Sequence, residues 1–220
     1  MIARAAAVLL LAAAAAVSPN PSPSLATTRH YRVEAEGSEL RWELPATLHT
    51  VEGRAPRLSG TIDLERGPIS KSEPNVEPWH GRVRVVVDAA AMATGNSSRD
   101  RKMREITLET PRFPEIVFES RHIEADLSRF RPGEHLTAEV AGDLTVHGRT
   151  TALRLPVDVF VEADHVILAG GFSVGWKQFG LPDPSFGIIT VREPVRVTFR
   201  LRAVPVRRKG ERQHAGPRTI

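Results

Sequence analysis

The 220-residue chain contains no cysteine. That removes disulfide staples, thiolate metal sites and a cysteine nucleophile together. It does not exclude an oxidising compartment, because a domain of this size can be stabilised by its core alone. Paired metal ligands are missing too. His49, His122, His135, His147 and His165 stand far apart, with no His-x-His or His-x3-His spacing and no acidic cluster beside them. Neither a P-loop nor a dinucleotide fingerprint is present, and Thr94-Gly95-Asn96 reads as a turn rather than a phosphate cradle. Ser185, in Pro184-Ser185-Phe186, has no histidine nearby in sequence to act as its base. No metal, cofactor or catalytic residue is expected.

Long apolar runs are absent after residue 17. The one present, 5–17, is 13 residues long, whereas spanning a bilayer takes about 20. With Arg4 before it and the Pro-rich 18–24 after it, the run fits the apolar core of a secretory leader. Small residues offer cleavage after Ala16 or after Ala26. Residues 1–26 are therefore expected to be a signal peptide, and the mature chain to be periplasmic or secreted.

A pI near 10.1 would suit a nucleic-acid partner, but the excess charge is local. Arg207, Arg208, Lys209, Arg212 and Arg218 crowd the 205–220 tail against Glu211 alone. Acidic and basic residues nearly cancel over 27–204, which argues against a phosphate-tracking surface and against nucleic acid as a partner. The tail reads as disordered and solvated, with weak contact to an anionic membrane surface as its alternative role. A 41% apolar and 25% charged composition is that of a globular domain.

From Tyr31 to Val204 the apolar period is two. Leu40, Trp42 and Leu44 alternate with Glu39, Arg41 and Glu43; Val83, Val85 and Val87 oppose Arg82 and Arg84. The pattern recurs through Ile116 and Phe118, through Leu136–Val146, Leu153–Val161 and Val166–Val174, and through Val195, Val197, Phe199 and Leu201. About eight strands result, each with one apolar and one charged face. Short connections such as His147-Gly148-Arg149 predict antiparallel hairpins. A one-faced antiparallel sheet this long closes into a barrel or folds into a sandwich. One helix is expected after Asn96, capped by Ser97 or Ser98 with Asp100 in its first turn. Met103 and Ile106 share one of its faces, suited to lidding one end of the barrel or gating it.

The stretch 83–120 resembles the centre of the YceI-like, polyisoprenoid-binding family of secreted β-barrels. Asp88, Thr94-Gly95, Arg99-Asp100 and Met103 carry the likeness, followed by Phe113-Pro114, Ile116, Phe118 and Ser120. Thr47, His49 and Val51-Glu52-Gly53 look like its opening, Gly142–Thr150 like its Gly-x-Leu-Thr hairpin, and Pro194–Ala203 like its last strand. The resemblance covers roughly residues 31–203. It implies an all-β, lipocalin-like antiparallel barrel over 27–204 with a short helix lidding an end, and an apolar tunnel for a long-chain isoprenoid or other amphiphilic lipid. It implies no metal and no enzyme chemistry.

On that reading Trp42, Val85, Ile116, Phe118, Val140 and Leu144 line the tunnel with Leu155, Val157, Phe172, Val197 and Phe199. Met103 and Ile106 close it, and Trp176 and Phe179 line its mouth. The family often carries a basic and an acidic residue just before Phe-Gly; Trp176 and Gln178 stand in those places here, which alters any head-group contact. Two other readings stay open: a filled barrel acting as a protein-interaction module through its charged faces or the loop 67–80, and an enzyme using His49 and His147. The latter needs both imidazoles within reach of one point. The ligand, a hollow or filled interior, and monomer or homodimer are left open at this stage.

Overall fold

The computed structural model describes residues 28–47, 49–66, 79–185 and 188–206. The expected leader, nearly all of the 67–80 loop and the tail beyond residue 206 lie outside them. Among the described residues, alternating side chains form nine strands: β1 (Thr28–Pro45), β2 (Thr50–Arg54), β3 (Leu58–Arg66), β4 (Trp79–Asp88), β5 (Glu115–Glu124), β6 (His135–Val146), β7 (Arg149–Val161), β8 (Val166–Val174) and β9 (Val195–Pro205).

Every pairing is antiparallel, and β9 returns to β1 (Val33↔Ala203, Trp42↔Val197), so the sheet closes. The nine strands occupy eight positions around the barrel. The second half of β1 pairs with β2 and the first half with β3, so β2 and β3 are two pieces of one interrupted strand. The Ala55 amide donates to the Leu40 carbonyl (2.9 Å) across the interruption. His147 and Gly148 both have positive φ, 52° and 70°, as a tight two-residue hairpin between β6 and β7 requires.

Closure bends two strands at bulges, and a serine hydroxyl repairs the ladder at each. In β1 the register slips between Glu34 and Glu39, and Ser38 Oγ accepts the Arg202 amide of β9 (2.8 Å). In β5 it slips between Ser120 and His122, and Ser120 Oγ accepts the Val83 amide of β4 (2.7 Å).

The helix α1 (Ser97–Lys102) runs on into a π-helical turn, Met103–Thr107. Its cap is not Ser97 or Ser98. The Asn96 side chain accepts the Arg99 amide (3.0 Å). Asp100 lies in the first turn, as expected. It is buried and accepts from the Thr94 amide (2.8 Å) and hydroxyl (2.6 Å), locking the turn in which Gly95 sits at φ 78°. The π turn, closed by Leu108 N–H to the Met103 carbonyl, buries Leu108. Met103 packs on the core, while Ile106 is 55% exposed.

The barrel interior has two unlike halves. Away from the helix it is filled: Val33, Leu64, Leu136, Val159, Val166 and Ala203 are buried in one cluster. Phe130 closes that end, edge-on to Tyr31 and bonded through its carbonyl to Arg29 (2.9 Å). At the waist, Phe118 lies against the wall over Gly142, where a Cβ would come within 2.6 Å of its ring.

Candidate functional site

The half of the barrel under the helix is hollow, with a cavity of about 800 Å³. Its wall comes from inward positions near one end of the strands: Leu40, Trp42 and Leu44 of β1, Val51 of β2, Val87 of β4, Ile116 of β5, Leu144 and Val146 of β6, Phe172 of β8, and Val195 and Val197 of β9. Trp42 lies flat on its cross-strand partner Gly53, where any Cβ would be 2.2 Å from the indole. Only a glycine lets this ring rest on the wall instead of filling the void.

Two segments frame the mouth. On one side, Thr94, Asn96, Ser98, Arg99, Arg101, Lys102 and Glu105 supply the polar lining, with Met103, Ile106 and Leu108 below them. Asn96, Ser98, Arg101, Glu105 and Ile106 are also solvent-exposed, so the cavity reaches the surface here. On the other side stand Trp176, Phe179, Leu181, Pro184, Ile189 and Val191. The sides meet where Lys102 Nζ donates to the Ser185 carbonyl (3.4 Å). Ser185 Oγ in turn accepts the Val191 amide (2.9 Å), and Thr47 N–H donates to the Thr190 carbonyl (3.0 Å), anchoring this segment beside the end of β1. Hydrogen bonds from the Ser185 hydroxyl and amide hold the Asp183 carboxyl below the usual carboxylate range.

The fifteen residues expected to line a tunnel fall into two groups. Trp42, Ile116, Leu144, Phe172, Val197, Met103, Ile106, Trp176 and Phe179 come together around the cavity. Val85, Phe118, Val140, Leu155, Val157 and Phe199 point inward too, but they pack in or against the core and do not border the void. The cavity is therefore a half-length pocket and not a tunnel through the barrel. Wall residues that the sequence reading did not single out, such as Leu40, Leu44, Val51 and Val195, share the inward parity of their strands; that parity was the available signal.

Trp176, in the family's basic position, is buried with Lys177 Nζ 5.2 Å over its ring, whereas Gln178 is exposed. Among the described residues, the buried indole N–H groups of Trp42 and Trp176 find no protein acceptor, which costs roughly 1–3 kcal/mol each unless an acceptor is supplied.

His49 borders the cavity. His147 does not: its Nε2 faces Glu109 Oε1 (3.1 Å) and its ring packs on Phe113 (4.3 Å between centroids). Gly171-Phe172-Ser173-Val174-Gly175 has the Gly-x-Ser-x-Gly spacing. Ser173 lies within β8, paired with Arg196 and facing outward, and not on the strand-to-helix turn that a nucleophile elbow needs. Among the described residues no three His, Asp or Glu side chains are grouped to hold a metal ion.

Solved structures share this barrel. A polyisoprenoid binding domain from Saccharophagus degradans, described as implicated in plant cell wall breakdown, superposes with a TM-score of 0.62 at 18% identity, covering 79% of this chain and 97% of its own. Burkholderia cenocepacia BcnA gives 0.60 at 16% identity, covering 78% and 99%. The Campylobacter jejuni YceI protein gives 0.55 at 16%, covering 72% and 86%. No curated protein gives a significant match. The YceI-like domain family itself matches over residues 31–203, the whole closed barrel with its helix and cavity, and the chain belongs to that family.

Proposed function

We propose that this protein binds, sequesters or carries a polyisoprenoid, an isoprenoid quinone or a similar long-chain lipid, without catalysing a reaction. The observation that carries the reading is the hollow half-barrel: an apolar cavity of about 800 Å³ with its polar residues gathered at the mouth. A volume of that order is what small-molecule sites of roughly 300–1,000 Å³ offer. It suits one end of a long chain, with the rest lying toward the mouth. Burial at about 25 cal/mol per Å² supplies the affinity and asks little of side-chain identity beyond being apolar. The head group then lies by the polar rim residues Thr94, Asn96, Ser98 and Arg101. On this reading 1–26 is a signal peptide and the carrier works outside the cytoplasmic membrane.

Native mass spectrometry of the protein secreted with its own leader, followed by organic extraction, tests this. A bound mass matching a prenyl chain or quinone is the expected result. A clean unliganded mass and a lipid-free extract from folded protein would instead favour the interaction module, for which the filled half of the barrel already provides a rigid scaffold.

A further inference from the structure

Large apolar side chains exposed to solvent are few among the described residues: Ile106, Ile188 and Val206. Two of the three sit at the cavity mouth. Ile106 is on the π turn and itself borders the cavity, and Ile188, 84% exposed, immediately precedes the cavity-lining Ile189. Val206 directly follows β9, whose opposite end carries the cavity wall. Cations accompany the mouth isoleucines. The α1 side carries Arg101, Lys102 and Arg104 against Glu105, with Asp100 turned inward on Thr94. Across the mouth, Lys177 and Arg192 are balanced by Asp183 and Glu193. The rim is thus weakly positive on its helical side and studded with exposed apolar groups, the combination that seats a protein on an anionic lipid surface.

We propose that this rim, through Arg101, Lys102, Ile106 and Ile188, docks the barrel mouth-down on an anionic phospholipid bilayer. The isoleucines enter the headgroup boundary and the cations meet lipid phosphates. The surface is defined by these residues whatever the cavity holds, so it stands apart from the carrier reading. Combined with that reading it has a use. A long-chain lipid pays about fourfold in concentration for every methylene exposed to water. A mouth seated on the bilayer removes that barrier to loading.

The test is flotation of the full chain with vesicles of equal phosphatidylglycerol and phosphatidylcholine, against phosphatidylcholine alone. The protein should float with the anionic vesicles and release as salt screens the charges. Ile188→Asp and Arg101→Glu should each lower the partition by about tenfold or more, while Val206→Asp leaves it unchanged. Ile188 is outside the cavity lining, so Ile188→Asp should retain bound lipid in native mass spectrometry; loss of docking and loss of cargo are then read separately. Rim variants that float like the unaltered protein would overturn the proposal and assign vesicle binding to the basic tail. So would a protein that ignores anionic vesicles, or an Ile188→Asp variant whose only change is to dissociate a dimer.

Discussion

Ser38 and Ser120 each stand where a bulge leaves a neighbouring strand's amide without a ladder carbonyl, and each supplies the missing acceptor. Ser120→Ala should leave the Val83 N–H orphaned and lower unfolding free energy by about 1–3 kcal/mol in urea titrations; an unchanged midpoint would show that water takes over the bond. Glu34 lies at the first of these bulges. Hydrogen bonds from Arg32 and Arg202 hold its carboxyl below the ordinary glutamate range. A depressed carboxyl stabilises the fold fully above its unfolded value of about 4.3, and the contribution is lost as pH falls through the lower folded pKa. Tm against pH should therefore fall less steeply on the acid side in Glu34→Gln than in the unaltered protein. Sequence reading noticed Ser120 within a motif but not its task, because the amide that its hydroxyl serves lies on β4; the bulge itself shows only as a parity shift, with Ser120 and then Ile123 facing inward. The helix cap was misplaced for a similar reason: serine and asparagine both cap well, and only the Asp100–Thr94 contact decides where the turn ends.

The inward face of each strand was legible from its period of two, since Arg, Glu and Asp on the other face leave one orientation possible in water. Whether an inward residue borders a void was not legible. Val140 and Val197 are the same residue type on the same kind of strand, yet Val140 is buried in the filled half and Val197 lines the cavity. The difference arises from neighbours distant in sequence: Phe118 against Gly142 at the waist, and Trp42 laid back onto Gly53 at the wall. This contrast gives a paired experiment. Val197→Trp adds an indole to open space, so it should keep Tm nearly unchanged while reducing the lipid recovered by extraction. Val140→Trp overpacks a full core and should cost about 1–3 kcal/mol or more. Equal destabilisation by the two would mean that the hollow half is not hollow in solution. The π turn was also out of reach of the sequence: Met103 and Ile106 both border the cavity, as one shared face predicts, but Ile106 on the wider turn is also 55% exposed at the mouth.

The closed barrel divides stability from binding along its axis. The end plugged by Phe130 has continuous packing, whereas the unbroken β6–β7 ladder of twelve residue pairs serves both ends alike. The other end forgoes that packing around the cavity and is held at its mouth by hydrogen bonds between segments, Lys102 to Ser185 and Thr47 to Thr190. Segments with fewer buried contacts open locally, at a lower free energy than global unfolding. Native-state hydrogen exchange should thus find the 136–140 and 157–159 amides exchanging only through global unfolding, with the helix 97–107 and the segment 188–192 exchanging well below that limit. A ligand that fills the cavity binds only the folded state, so at a hundredfold over Kd it adds about 2.7 kcal/mol to global stability. Its added contacts lie in the mouth half, so the helix and the 188–192 segment should gain protection beyond that global increment. Uniform protection of both ends without ligand would mean that the hollow half is as rigid as the filled one, and that loading a lipid needs no movement of the mouth.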